Sequence, residues 1–229
     1  MVSKHVGNFF KNLDEVKRLI TIHEKITGKN VGYKTNVEVL NKSSIVLLVA
    51  CWEAYIEDLI EDAFDFVLKN AKNPKSLPKL VLSNIAEDLK KNLDDHAIWQ
   101  LAGTGWLSVV ENYKKKCLDS YLFGFNTPKP NNIDELFKSV LGIKSLSSYW
   151  HWSGMSSKTA TNNLKKLVEI RGNIAHRVAA SKKVYKYDVT NYIGFVNKLA
   201  VISNNRIHNH LKSMIGKPPW DLYHIGRVH

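Results

Sequence analysis

Thiols are scarce: Cys51 and Cys117 are the only two in 229 residues. Neither has Cys-x-x-Cys spacing, which leaves a disulfide framework or a cysteine-based zinc site unsupported. Cys51 lies inside the apolar run Ile45 to Trp52, where a buried thiol behaves as a small hydrophobe. That run is also the longest apolar stretch. It is far short of the ~20 residues that cross a bilayer, and it runs into Glu53. Met1 to His5 lacks the apolar segment of a secretory signal. These absences lead to the expectation of a soluble, cytoplasmic chain without membrane association. Acidic residues are also few, 21 against 33 Lys and Arg, for a formal net charge of +12. Such a surplus points to a phosphate-rich partner, nucleic acid ahead of an anionic membrane surface. No dense basic run localises it, and Lys114-Lys115-Lys116 reads as a solvated face. A hydrophobic fraction of 44% with 10% aromatics is ample for a packed core and argues against disorder. The length fits one elaborated domain, read as residues 1–229 with its core at about 40–215 and a short C-terminal tail from 216.

No segment alternates convincingly with the period of a strand. Helical periodicity appears instead at Asn8 to Thr27, stopped by Gly28, and at Tyr33 to Asn70, stopped by Asn73-Pro74 and Pro78. It continues at Lys79 to Asp94, and at His96 to Ser120 with a turn at Gly103-Thr104-Gly105. A short helix restarts near Asn132 with a capping residue ahead of Leu136, Phe137 and Val140. Two further helices run from about Met155 to Ala180, behind Ser156-Ser157 as a cap, and from Lys186 to Met214. Between Tyr121 and Gly154 the two prolines and the glycine of Phe123 to Pro130 interrupt regular structure. The fold class is all-α, a helical bundle with an irregular insertion. His208-x-His210 does not put two ligands on one helix face, so no metal site is expected. Tyr149, Trp150 and Trp152 around His151 are read first as a loop packed on the core, and second as a base-stacking platform.

One helix breaks its own pattern. On the segment from Met155 to Ala180 the residues Leu164, Leu167, Val168, Ile170, Ile174, Ala175, Val178 and Ala179 form one apolar side, and Arg171 falls near its centre. A permanent cation there is costly unless something pairs with it or covers it. His176 lies about 140° round the helix from Arg171, on the shoulder with Asn173. On the long second helix Glu53 sits at the edge of the buried stripe, beside Ile60. A partly desolvated carboxylate wants a cation, and Arg171 is the candidate. Asp58, Glu61 and Asp65 read as ordinary solvent-face charges.

A histidine and an arginine suffice to cleave RNA through its own 2′-hydroxyl. Histidine moves protons near neutral pH, and arginine holds a phosphate through two contacts and stabilises charge growing on its oxygens. The products would be a 2′,3′-cyclic phosphate and a 5′-hydroxyl, with no cofactor or metal called for. The alternative is a structural ion pair between Arg171 and Glu53, with His176 exposed and idle.

Arg171-Gly172-Asn173-Ile174-Ala175-His176 resembles the Arg-x4–6-His signature of HEPN domains. Further along the chain, Trp52-Glu53-Ala54-Tyr55, then Phe125-Asn126-Thr127-Pro128 with Ile133-Asp134-Glu135-Leu136-Phe137, and Leu141-Gly142-Ile143 before Tyr149-Trp150, resemble the RiboL-PSP-HEPN branch in content and order. The resemblance implies a HEPN-like bundle whose irregular insertion precedes the signature helix. It implies Arg171 and His176 as catalytic residues; beside them, the helix pattern offers Asn173 as a positioning group and Glu53 to orient Arg171. It also implies a homodimer whose two signature helices form a composite cleft, RNA as substrate, and a role in bacterial defence or as a toxin, with an antitoxin or a second HEPN protein as a further partner. Arg177, Lys182 and Lys183 would extend a positive path for the RNA backbone. Gly172 departs from the family, which often has a polar residue there. A mid-helix glycine costs about 1 kcal/mol relative to alanine, and close approach of a partner helix is one reason to keep it. Two rival readings stay open: a non-catalytic HEPN module that binds RNA, a nucleotide or a protein, and a scaffold or antitoxin-like subunit.

Overall fold

The computed structural model describes residues 3–28, 37–92, 94, 96–124, 128–177 and 183–223, apart from the side chains of 121–124 and 177. Among these residues there are seven α-helices and no strand: α1 (Lys4–Thr27), α2 (Glu38–Asn70), α3 (Lys79–Lys91), α4 (Gly105–Gly124), α5 (Pro130–Leu141), α6 (Ser157–Arg177) and α7 (Lys186–Ile215). Trp152 and Met155 form one isolated antiparallel bridge. No described helix is long and apolar enough to cross a membrane. Tyr33, Phe125 to Thr127, Val178, Ala179 and Lys182 lie outside the described residues.

α2 is the axis of the bundle because it is apolar almost all round. Ile45, Leu48, Trp52, Ile56, Leu59 and Ala63 are fully buried on one side, and Ile60 and Phe64 extend the buried surface round the helix. A helix with such a surface is stable only when enclosed, and α1, α4, α5, α6 and α7 all pack against it. Each large side chain removed from water contributes roughly 1.5–3 kcal/mol. Tyr55 ties α2 to α7 by donating its hydroxyl to the Ala200 carbonyl at 2.7 Å. Burial pushes the Cys51 thiol up to about 11, so it sits inert in the core.

Four details differ from the sequence reading. First, the core reaches past 40–215 at both ends. Phe9, Leu13 and Val16 of α1 are buried, as is Trp220. Trp220 lies edge-on to His5, their rings 4.6 Å apart. Second, Asp58 is no plain solvent-face charge, since it accepts from Asn8 Nδ2 at 2.8 Å; a helical wheel cannot show that α1 lies across this face. Third, α5 starts at Pro130, without a side-chain cap. Asp134 faces the following loop instead, accepting from Ser147 N, Ser147 Oγ and Ser145 Oγ at 2.7, 2.6 and 3.0 Å. Fourth, two of the three lysines on α4 are paired, Lys114 with Asp65 and Lys116 with Asp88.

Two glycine and aromatic features position the loop ahead of α6. Gly142 closes α5 at φ +70, and a Cβ there would meet the Pro78 ring at 2.7 Å; only glycine fits. Trp150 then plugs the core. It is fully buried, donates Nε1 to Ser203 Oγ at 3.0 Å, and meets Trp52 edge-on at 5.9 Å. The aromatic cluster is thus mainly a packed loop.

Candidate functional site

The N-terminus of α6 is set by Ser156, whose Oγ accepts from the Thr159 backbone N–H at 3.1 Å, the expected capping geometry. Ala160, Leu164, Leu167 and Val168 then carry the buried face. Toward the C-terminal end that face opens. Arg171 is half-buried and Ala175 and His176 are exposed. His176 occupies the last turn of the described helix.

Arg171 meets Glu53 electrostatically. Burial raises the Glu53 carboxyl above its ordinary 4.5, and the charge of Arg171 pulls it back down. Burial wins, so the arginine offsets only part of the cost of holding that carboxylate in a half-buried place. Glu57 is raised as well, by burial first and then by the nearby charges of Glu53, Asp58 and Glu61.

Asn173 faces elsewhere. It lines an open groove of about 630 Å³ with Lys166, Glu169, Lys183, Asp188 and Tyr192. Residues 166, 169, 170 and 173 follow helical spacing, so one stripe of α6 forms a wall. The opposite wall comes from the segment entering α7 and the first turns of that helix, where Asn41 Nδ2 of α2 donates to the Val184 carbonyl at 3.1 Å. Lys166 and Lys183 offer cations to a ligand there, Glu169 and Asp188 offer acceptors, and Tyr192 offers a ring.

The structure therefore brings Arg171 and Glu53 together on one side of α6, and Asn173 and Lys183 together on another. His176 stands between these sides at the exposed end. On the wheel Arg171 and Asn173 are about 160° apart. The side chain of Arg177, and Lys182 altogether, lie outside the description. Lys166, Tyr192 and Asp188 were not picked out as site residues from sequence. The signal for Lys166 was present in its spacing from Asn173, but Tyr192 and Asp188 reach the groove only through the packing of α7 on α6.

A second polar cluster was invisible in the sequence. His5 is fully buried. Its Nδ1 lies 2.7 Å from Asp62 Oδ2, its Nε2 lies 2.9 Å from Asn204 Oδ1, and Ser3 Oγ lies 3.0 Å from Nε2. A Ser-His-Asp array suggests a nucleophile, but the hydrogen bonds say otherwise. Tyr223 N donates to Asn205 Oδ1 and Asn205 Nδ2 donates to Tyr223 O, which fixes the Asn205 amide. Asn204 Nδ2 donates to that same Oδ1, so its own oxygen must face His5. Nε2 thus faces a carbonyl oxygen as well as Ser3 Oγ, and the ring is fully buried, so no substrate reaches it. The cluster is a structural clasp.

An all-α bundle whose last long helices carry an Arg-x4-His pair at an open end defines a HEPN-type domain. The chain matches the RiboL-PSP-HEPN family model over residues 8–212, and it belongs to that family. No curated protein and no solved structure shows a matching similarity.

Proposed function

We propose that this chain is a metal-independent endoribonuclease of HEPN type that works as a homodimer. The observation that carries the reading is the divided end of α6. Arg171 and His176 are about 140° apart on one helix, so a phosphate touched by both is most simply reached when two such helices face each other. In that arrangement His176 takes the proton from a ribose 2′-hydroxyl. The freed oxygen attacks the adjacent phosphorus, and the bond to the 5′-oxygen breaks as His176 returns to that oxygen the proton it took. Arg171 binds the phosphate and stabilises its growing negative charge. Glu53 orients Arg171, Asn173 positions the substrate from the groove, and Lys183, with Arg177 and Lys182, extends the cationic track. A defence or toxin role belongs to the same proposal.

The half-buried setting of Arg171 beside Glu53 favours one rival, a binding module in which the arginine is structural. Incubating the full chain with unstructured RNA in chelator separates them. New 2′,3′-cyclic phosphate ends that vanish in His176→Ala support the enzyme. Undiminished cleavage by His176→Ala, from a preparation free of contaminating nuclease, overturns the assignment of His176. Binding of RNA without any cleavage by the wild-type chain supports the module.

A further inference from the structure

At the opposite end of α7 lies a second groove, of about 310 Å³, bounded by Gly142 to Tyr149 and the last turns of that helix. Its charged lining is all of one sign or potentially so: Lys144, Arg206 and His210, with no carboxylate. Arg206 is half-buried with its guanidinium carbon 3.9 Å from the centre of the Tyr149 ring. Its Nε is buried without a hydrogen-bond partner. A ring face offsets some of the cost of a half-buried cation, and an anion would offset the rest. Asp134, behind the loop that lines the groove, already receives three donors from Ser145 and Ser147. It holds the loop in place and leaves the groove positive. His210 Nε2 donates to the Leu141 carbonyl at 2.9 Å, and burial, with the charge of Arg206, holds the ring below its ordinary 6.5, so Nδ1 is an acceptor suited to a ribose hydroxyl and not to a phosphate oxygen.

Arg206 is eighteen residues after Asp188, and His210 is eighteen after Tyr192. Eighteen residues are five helical turns, so all four point the same way from α7, over a span of roughly 27 Å. Between them the stripe is roofed by Trp152, tilted on Phe195 at 6.1 Å, and Lys198 stands 5.3 Å over that indole. Two open grooves with a bridging cation thus lie along one line.

We propose that Arg206 and Lys144 form a second phosphate site, with His210 Nδ1 beside it to accept from a ribose hydroxyl, which holds the backbone of the same RNA whose other end occupies the groove beside Asn173. The site rests on the RNA reading above. In a base-stacked strand, at about 3.4 Å per phosphate, 27 Å corresponds to roughly eight phosphates, so the site serves stacked RNA longer than that and adds nothing for shorter stacked pieces.

The test measures binding of base-stacked single-stranded oligoadenylate of 6 and 20 nucleotides, in chelator, over a range of salt, by the full chain and by Arg206→Gln. The expected result is about tenfold weaker binding of the 20-mer, as for loss of one charge-assisted contact. The salt slope should fall by about 1, and the 6-mer should lose little. Lys144 is exposed, so Lys144→Gln repeats the test without risk to folding, with a smaller loss in the same direction. Equal 20-mer affinity and slope in both variants overturns the site while leaving cleavage by the signature helix untouched. A wild-type chain that cuts RNA but gains nothing from 6 to 20 nucleotides also overturns it. Inorganic phosphate titrated alone is the third arm. If it binds in an Arg206-dependent way while the variants bind the 20-mer normally, the site belongs to a free phosphate and the RNA assignment falls. An acidic peptide of glutamates that displaces the 20-mer as well as unlabelled RNA does would overturn the choice of phosphate.

Discussion

Two polar clusters flank α2, around Asp62 and around Glu53, and each sets a carboxylate beside a basic residue to opposite effect. In one, His5 is fully buried, and Asp62 and Asn204 occupy both of its ring nitrogens. In the other, Arg171 is half-buried against a Glu53 whose carboxyl remains raised, and His176 is exposed. The first cluster is closed: its polar atoms face one another inside the protein, and the buried ring is out of reach of a ligand. The second is under-compensated. Function is sought where polar groups are held at a cost and left available, and stability where they are matched.

The largest expected effect separates the two histidines by rate. If His176 is the general acid/base, His176→Ala should lower cleavage by roughly 10²–10⁴-fold. As an exposed position, its unfolding free energy should stay within about 0.5 kcal/mol of the parent. Parallel denaturant curves and cyclic-phosphate assays check this, and an equal loss of fold and activity would collapse the distinction. His5→Ala should do the reverse. It strands Asp62 and Asn204 and opens a cavity beside Trp220, at a cost of about 3 kcal/mol. Its cleavage rate per folded molecule should be unchanged. A His5→Ala chain with parental urea midpoint would show that the clasp is incidental.

The contrast between these clusters also shows what could be read from sequence. Helix boundaries could be, because Gly28, Gly216, Pro74 and Pro78 interrupt clear periodicities, and α7 runs Lys186–Ile215 against an expected Lys186 to Met214. Arg171 and Glu53 could be singled out because each violates the pattern of its own helix, and violations are local. The clasp could not. His5 meets partners 57 and 199 positions away, and Asp62 sits among charges that a wheel assigns to solvent. Arg206 was hidden for the same reason: on α7 it is one more basic residue, until the loop from Gly142 brings Tyr149 under it. Sequence reveals a side chain at odds with its own helix, and packing reveals one that is matched by a distant helix.

The two carboxylates extend the comparison to pH, with opposite signs. Burial raises Asp62, but hydrogen bonds from the His5 ring and backbone, helped by the charges of His5 and Lys4, bring it below its ordinary 3.8. A depressed folded value means stability that is present above 3.8 and is lost as pH falls through the lower folded value. Asp62→Asn should therefore flatten the acid limb of a stability profile. Glu53 has a raised value, so its ionised form opposes folding above that value, and the penalty disappears as pH falls toward 4.5. Glu53→Gln should then stabilise the chain at neutral pH by at most about 1 kcal/mol, given how much of the group meets water. The same substitution should slow cleavage if Glu53 orients Arg171. Thermal unfolding at pH 4.5 and pH 7.5 checks both signs. A Glu53→Gln chain that loses stability at pH 7.5 would mean that Arg171 depends on the charge of Glu53 more than the carboxyl shift implies.

The smallest effect tests what covers the open end of α6. A Cβ built on Gly172 meets nothing within 4 Å, so within a single chain Gly172→Ala should raise helix stability by about 0.5–1 kcal/mol through its lower backbone entropy cost. If two signature helices approach each other across this position, the added methyl falls in their interface. The isolated subunit is then stabilised while self-association weakens, and the two shifts have opposite signs. Denaturant unfolding at micromolar and at tenfold higher chain concentration reads both at once. In the parent, stability should rise with concentration as for any linked dimer; in Gly172→Ala that rise should shrink while the dilute-limit stability increases. A variant that is more stable by the same amount at every concentration would place the partner somewhere other than along Gly172. The division of Arg171 and His176 between two sides of one helix would then need a different closing surface.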